Sequence, residues 1–307
     1  MENKIDFDEY HLEIFWEYIR ERYQIYKRRN SGELPPWTTN QILAEWKFTN
    51  VFRQDDPGTK FVINKIIPTF KEDFNNLLFN IIAYRIFNKI NTMVYIGFLN
   101  YENYDPSAIH SKLLELVDSS QNVFTNAHKV SAFQTFKKFD EFKLHGPVKI
   151  IRVAYSLNFY ATQIKYISQK LEQNLDLNTS KILYQSLIEL PEIGPFVAYQ
   201  ICVDIGYYNP NYFDENKFVV CGTGAKLGIE YLCQKKIPEK NEHFLITELV
   251  KLHYKQNLNL DSPLNLMAIE NCLCEYSKYM KIKTGKGKAR VKRTREEFEN
   301  YQKKYIN

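Results

Sequence analysis

The sequence predicts an all-α protein. Apolar residues recur every three to four positions through most of the chain, which is the spacing of one helix face, and the alternating runs typical of strands are rare. Hydrophobic residues make up 44% of the sequence and aromatic residues 15%, enough apolar material for a large core. This composition excludes a disordered or fibrous protein.

The sequence also predicts a cytoplasmic protein with no membrane partner. No apolar stretch reaches the roughly 18 residues that a membrane helix needs. The first ten residues are acidic and polar, unlike a signal peptide. The five cysteines are an odd number and indicate reduced thiols rather than a disulfide scaffold.

The N-terminal third begins with a helix predicted over residues 7–29, which two prolines and Gly32 bring to an end. Residues 38–40 offer caps for the next helix. Asp73 precedes the stretch from Phe74 to Phe87, which is apolar on every side. A helix of that kind is expected at the centre of a core.

Further helices are expected along the rest of the chain, and the longer loops are expected at 50–65, 139–146 and 207–221. The predicted helices cover residues 91–99, 107–117, 125–138, 147–155, 160–171, 179–189, 195–206, 222–234, 242–255 and 262–279. No repeat or clean linker divides them, so the sequence is consistent with one domain or with two closely packed lobes.

The segment 186–204 carries the most informative motif, a helix-hairpin-helix expected at about 179–206. Leu190 ends one helix, a Pro-Glu-Ile-Gly turn follows, and the next helix starts at a proline, which the first helical turn favours. Gly194 lets the backbone approach a phosphate, and the following amides can bind it. Ala198 allows the helices to cross closely. The alternative is an ordinary αα-hairpin.

This hairpin resembles that of the helix-hairpin-helix DNA glycosylases. Members with lyase activity place a lysine two residues after the last glycine, where this sequence has Phe196, so the resemblance implies a monofunctional enzyme. Members also place a catalytic aspartate about twenty residues after that glycine, and Asp214 stands there.

A closer resemblance covers roughly residues 20–295. The segments that carry it, in order, are WTTN (37–40), FTNVFRQDD (48–56), LLFNIIAYR (77–85), FTNA (124–127), GPFVAYQ (194–200), VVCGTGA (219–225) and LCEYSKY (273–279). They resemble the helical family named for α-glutamyl/putrescinyl-thymine pyrophosphorylases, which also includes the helical domain of 5-hydroxymethyluracil DNA kinases. Cys221 to Gly224 depart from the Pro-Gly-Pro-Gly type of loop expected there.

The resemblance implies a helix-hairpin-helix DNA glycosylase-like fold over residues 1–280, followed by a basic segment at 281–307. It also implies action on modified pyrimidines in phage DNA, and relatives include an antiphage glycosylase that removes glucosylated hydroxymethylcytosine. Cleaving a base from its sugar requires an extruded nucleotide and a carboxylate beside the developing positive charge.

Three carboxylates are candidates for that catalytic role. Asp204 is the first choice because it interrupts an apolar run in the hairpin's second helix; the alternative is a structural carboxylate paired in the core. Asp56 is a second candidate, and Asp214 is a third on family spacing alone.

A base pocket is predicted from residues that can read a base edge, hold a phosphate or stack on a ring. These residues are Asn50, Arg53, Tyr84, Asn126, Tyr199 and Gln200. The alternatives are an Arg–Asp ion pair that closes a helix–loop junction and, for the tyrosines, ordinary core positions.

Two further elements are predicted to bind the DNA backbone. Gly222, Gly224 and Lys226 resemble a phosphate-binding loop, although the chain has no GxxxxGK[ST] run and no dinucleotide fingerprint. Residues 281–307 carry a net charge of +7 on a chain of +5, which indicates salt-dependent attraction to a polyanion or else a solvated charge run. The basic residues proposed for contact there are Lys286, Lys288, Arg290, Lys292 and Arg293.

The sequence therefore predicts a DNA glycosylase, a hydrolase that flips out and excises a modified pyrimidine from double-stranded phage DNA in antiphage defence. No cofactor is expected. No metal is expected either, because Cys272 and Cys274 lack the companions that a metal site needs. Two alternatives stay open, a pyrophosphorylase or transferase of thymine hypermodification and a non-catalytic DNA-binding helical module that supports a kinase.

Overall fold

The computed structural model describes residues 6–125, 148–174 and 178–287. Across these ranges the protein contains helices and no strand, so the predicted all-α class is confirmed. None of the described helices combines the length and apolarity needed to cross a lipid bilayer.

Thirteen α-helices are described, and short 3₁₀ turns occur at Arg53–Asp55 and Glu239–Asn241. In chain order the helices are α1 (Glu9–Asn30), α2 (Gln41–Glu45), α3 (Pro57–Phe61), α4 (Ile67–Thr69), α5 (Phe74–Phe87), α6 (Ile90–Ile96), α7 (Pro106–Asp118), α8 (Val148–Glu172), α9 (Thr179–Ile188), α10 (Pro195–Tyr208), α11 (Thr223–Cys233), α12 (Glu242–His253) and α13 (Leu266–Lys283).

The chain divides into two compact units. Unit 1 comprises Met1–Asp56 and Val219–Asn307, and unit 2 comprises Pro57–Phe218. The predicted division at residue 281 stays a prediction, although α13 continues past it to Lys283.

Unit 2 is built around α5. Every residue of α5 from Asn76 to Phe87 is buried, as the all-round apolar pattern predicted. The side chain of Asp73 accepts a hydrogen bond from the amide of Asn76 and caps the helix. Asn80 is fully buried, and its amide group exchanges two 2.8 Å hydrogen bonds with the backbone of Leu99, so this polar side chain is satisfied.

Two parts of unit 2 differ from the prediction. The expected loop at 50–65 contains α3, because Pro57 occupies a first helical turn, where proline starts a helix rather than breaking one. A π-helical turn, Val62–Ile66, joins α3 to α4. Helix α8 is continuous where two segments were expected, because Ser156, Leu157 and Tyr160 are buried and core packing carries the helix across the expected break.

Candidate functional site

The hairpin lies in unit 2 between α9 and α10. Gly194 forms the N-cap of α10, and its carbonyl accepts the amide of Ala198 at 3.0 Å. The hydroxyl of Tyr160, on α8, donates to the carbonyl of Pro191 in the turn. Residues 179–208 thus form two helices joined by a tight turn, which a third helix contacts, and a DNA-binding helix-hairpin-helix at 179–206 stays a prediction.

The fold does not require a glycine at position 194. Its φ of −77° suits any residue, and a Cβ added there would meet no atom within 4 Å. The open space lies where the N-terminus of α10 presents amides and a positive dipole end. Phe196, in the same turn of helix, is 46% exposed. This geometry allows a phosphate to approach closely, although binding at Gly194 and Phe196 stays a prediction.

Asp204 forms a buried ion pair with Arg85. Arg85 Nη2 donates to Asp204 Oδ1 at 2.7 Å, and Nε contacts Oδ2. Asp204 is fully buried and Arg85 is 4% exposed. Burial disfavours the arginine cation, but the Asp204 carboxylate outweighs it and raises the pKa of Arg85 above its ordinary value.

The Arg85 guanidinium also reaches Asn88 Oδ1 at 3.1 Å and Thr59 Oγ1 at 3.4 Å. Asn88 in turn donates to Thr125 Oγ1 at 3.2 Å. A paired carboxylate of this kind is the structural alternative considered for Asp204, and its catalytic role stays a prediction.

The aromatic and amide candidates of unit 2 lie in the core. Tyr84 and Tyr199 are each 1% exposed, and their rings contact Phe61 at 5.2 Å and Phe213 at 6.0 Å between centroids. Gln200 is also buried. Stacking on an extruded base would require these residues to become accessible, so their place in a pocket stays a prediction.

Two remaining candidates do not join that group. Asp214 belongs to a turn, where its carboxylate accepts the amide of Asn216 at 2.9 Å. Burial would raise the pKa of Asp214, but hydrogen bonds from Asn216 and Lys217 outweigh it and lower the pKa. Asn126 lies outside the described residues.

Unit 1 brings together three segments that carry the family resemblance. Asn40 caps α2 and donates to the hydroxyl of Tyr279 at 3.1 Å, which joins segments 37–40 and 273–279. Asn271 Nδ2 donates to the carbonyl of Asn50 at 2.8 Å, which ties segment 48–56 to α13.

A buried charge cluster forms at this junction. We use this name for Arg22, Arg53, Asp56, Glu270 and Glu275, of which Asp56 is half-buried and the others are buried. Arg22 donates to the carbonyls of Thr49 at 2.6 Å and Asn50 at 2.9 Å, and the amide of Asn50 donates to Asp56 Oδ1 at 3.0 Å. The predicted Asn50, Arg53 and Asp56 therefore lie together.

Burial raises the pKa of two acids of this cluster. It raises the pKa of Asp56 to about 6, against the opposing effects of the Asn50 amide and of Arg53. It raises the pKa of Glu270 to about 7, although the Gly222 amide donates to Glu270 Oε1 at 3.1 Å and Arg53 also favours the charged form. The cluster thus holds acids that can carry a proton near neutral pH.

The glycines of the predicted phosphate loop serve helix packing. A Cβ at Gly224 would lie 2.5 Å from Cys274 Sγ, and one at Gly228 would lie 2.3 Å from the carbonyl oxygen of Leu273. These positions let α11 cross α13 at close range. Lys226 pairs with Glu242 at 2.7 Å. DNA contact by Gly222, Gly224 and Lys226 stays a prediction, and the packing alone accounts for Gly224.

The basic C-terminal segment is described only at its start. Lys286 is exposed just beyond α13. Lys288, Arg290, Lys292 and Arg293 lie outside the described residues. The described residues contain no group of three or more histidine, cysteine, aspartate or glutamate side chains placed to hold a metal ion.

Sequence reasoning missed four residues of these clusters, Arg22, Arg85, Glu270 and Glu275. Each is a charged side chain that falls on the buried face of a helix. That position was the available signal, since a charge on an apolar face has to be paired or used.

Comparison with known proteins identifies the family. The sequence model described as "5-hmdU DNA kinase, helical domain" matches residues 9–289. The chain belongs to this family. A curated relative, the 5-hmdU DNA kinase of Bacillus phage SP10, is 25% identical over 275 residues, covering 83% of this chain and 42% of that protein. This chain thus spans less than half the length of that relative. No solved structure matches the chain.

The family membership corrects the predicted activity. The predictions of a DNA glycosylase, of a hydrolase and of antiphage defence are wrong, because the family and the curated relative carry the name of a DNA kinase, which is a transferase. The physical reason is that a helix-hairpin-helix binds a phosphate backbone but does not determine which chemical bond the protein breaks or forms. The two alternatives, a transferase or a helical module that supports a kinase, lie nearer to these names.

Proposed function

We propose that this chain is the DNA-recognition domain of a system that phosphorylates 5-hydroxymethyluracil in DNA. The observation that carries the proposal is the match of residues 9–289 to the helical domain of 5-hmdU DNA kinases. The hairpin of α9 and α10 supports it, since its open glycine and helix N-terminus suit a DNA phosphate.

Phosphoryl transfer needs a nucleoside triphosphate held by charged groups and magnesium, and an acceptor hydroxyl placed in line. The sequence of this chain contains no GxxxxGK[ST] run. We therefore assign triphosphate binding to a second component and substrate presentation to this chain. The 5-hydroxymethyl group projects from the edge that thymine shows in the major groove.

Fluorescence anisotropy with two matched duplexes tests the recognition role. One carries a single 5-hydroxymethyluracil and the other carries thymine at the same position, so they differ by one hydroxyl. We expect roughly five- to tenfold tighter binding of the modified duplex, the value of about one hydrogen bond. Equal affinity would overturn the proposed substrate.

A second assay separates recognition from chemistry. The full chain is incubated with the modified duplex, Mg²⁺ and γ-labelled ATP. We expect no transfer of label to the DNA by this chain alone. Transfer would overturn the assignment of triphosphate binding to another component and would make this chain the kinase itself.

A further inference from the structure

Unit 1 contains an apolar cavity that opens at its surface. The cavity has a volume of about 310 Å³. Its walls come from α1, from the segment that follows α1, and from α2, and consist mainly of Ile25, Pro35, Pro36, Trp37, Leu43 and Ala44. An apolar cavity of about 150 Å³ is large enough for benzene. This cavity therefore has room for an aromatic side chain.

A cation without a counter-charge lies on one wall of the cavity. The guanidinium carbon of Arg29 lies 5.4 Å from the centroid of the Trp37 ring. Its Nε is buried and has no hydrogen-bond partner in the part of the chain that the structure describes. Lys27 and Arg28 each pair with a carboxylate, whereas Arg29 makes no ion pair with a described residue. An occupant that combines an aromatic ring with a carboxylate would satisfy both the cavity and Arg29.

The sequence of residues 294–307, which lie outside the described residues, has this combination. Thr294 and Glu297 have the spacing of a capping box, which predicts the start of a helix. Phe298, Tyr301 and Tyr305 follow at the spacing of one helix face. Carboxylates flank Phe298 at positions 296, 297 and 299. A helix of this length is marginal in water, so it needs a surface on which to bury its apolar face.

The chain leading to this segment passes α2, which forms one wall of the cavity. Asn40, the cap of α2, donates to the hydroxyl of Tyr279 on α13 at 3.1 Å. Helix α13 ends at Lys283, about 6 Å further along its axis. The ten residues 288–297 can span up to about 33 Å when extended. This tether is long enough to bring Phe298 to α2.

We propose that residues 294–307 dock on unit 1, with Phe298 in the cavity and a glutamate of this segment paired with Arg29. The inference goes beyond the proposed function, because it concerns an interaction of unit 1 with its own chain and involves no DNA. Docking makes the basic run 286–293 a loop that is anchored at both ends.

Photo-cross-linking in the full chain tests the docking. The photoreactive amino acid p-benzoylphenylalanine at position 298 should cross-link to peptides from residues 25–44 of the same chain. The same amino acid at position 300 is the matched control, because positions 298 and 300 point about 200° apart on a helix. Position 300 should not label these peptides. Mass spectrometry of the digested products identifies the labelled residues.

Two variants of unit 1 show whether the labelling depends on the cavity. Ala44→Phe fills the cavity from α2 and should abolish most of the labelling from position 298. Ala108→Phe, at an exposed site on α7 of unit 2, is the control and should leave the labelling unchanged. Arg29→Gln should lower the labelling by roughly two- to fivefold, the value of one exposed ion pair. Thermal melts that match the wild type show that these variants are folded.

Three results would overturn the inference. Absence of labelling of residues 25–44 from position 298 would exclude docking at the cavity. Full labelling by a folded Ala44→Phe variant would place Phe298 elsewhere. A cross-linked product of twice the chain mass would assign the cavity to a second copy of the chain. Equal binding of modified and thymine duplexes would overturn the proposed substrate and leave the docking unaffected.

Discussion

Arg85 and Asp204 form a buried two-point ion pair that joins α5 to α10 in unit 2, with 2.7 Å between Nη2 and Oδ1. Both groups are withdrawn from water, so each depends on the other for compensation of its charge. The pair also explains why Asp204 interrupts an apolar run in the sequence.

Asp204→Asn is expected to destabilise the protein by about 3–5 kcal/mol, because it leaves the buried Arg85 cation without its counter-charge. Urea denaturation with a full transition measures this change. The double variant Arg85→Met with Asp204→Leu is the control and should recover most of the lost stability, since neither charge remains. An unfolding midpoint for Asp204→Asn equal to that of the wild type would contradict the structural role of this pair.

Two glycine substitutions separate packing from ligand binding. Gly228→Ala places a methyl group 2.3 Å from the carbonyl oxygen of Leu273, so it should cost about 1–3 kcal/mol of stability. Gly194→Ala meets no atom and should change stability by less than about 0.5 kcal/mol. We expect Gly194→Ala alone to weaken binding of duplex DNA. Unchanged affinity would exclude close phosphate approach at the hairpin.

The same glycines show what the sequence could and could not predict. Gly194 and Gly222 are each the N-cap of a helix, whereas Gly224 and Gly228 lie inside α11, a difference that the sequence alone does not reveal. Whether a glycine faces open space or a neighbouring backbone depends on α13, which lies far along the chain from Gly224. Long-range packing of this kind leaves no local pattern, so the prediction of a phosphate loop could not be tested from the sequence.

Helical periodicity, in contrast, predicted most of the fold. The apolar run of α5 predicted the central helix of unit 2, and residues 38–40 predicted the cap that Asn40 forms. Two boundaries were wrong. The expected loop at 50–65 contains α3, and α8 is continuous across 156–159, where a break was expected. At α3 the proline occupies a position that favours a helix start, whereas in α8 the burial of Ser156, Leu157 and Tyr160 carries the helix through.

Stability should depend on pH through Glu270. Its pKa rises from 4.5 in the unfolded chain to about 7 in the fold, so the folded state keeps a proton that the unfolded state releases. The free energy of unfolding should therefore fall by about 3 kcal/mol as the pH rises from 4.5 to 7.

Urea denaturation at several pH values across this range measures the slope of the free energy of unfolding against pH. Glu270→Gln should reduce the slope, because the amide does not titrate, and should leave the part that Asp56 contributes through its own raised pKa. Glu17→Gln, at an exposed site on α1, is the control and should keep the slope of the wild type. A slope unaffected by Glu270→Gln would show that this residue is already charged in the fold.

Truncation after Gly287 tests the basic segment. It removes Lys288, Arg290, Lys292 and Arg293, and we expect weaker binding of modified and thymine duplexes alike. Each lost phosphate contact should reduce the slope of log K against log salt by about 0.9. Anisotropy titrations at several salt concentrations measure it. Lost preference for the modified duplex with an unchanged slope would instead assign the segment to base recognition.

Unit 1 is assembled from two stretches of chain that are separated by the whole of unit 2. The hydrogen bond from Asn40 to Tyr279 spans 239 residues. During synthesis from the N-terminus, α1 and segment 48–56 leave the ribosome long before α13, which supplies their partners. Unit 2 can complete its fold in that interval, whereas the apolar face of α1 stays uncovered until α13 is made. We therefore expect folding of unit 1 to depend on chaperones and to be sensitive to pauses in translation.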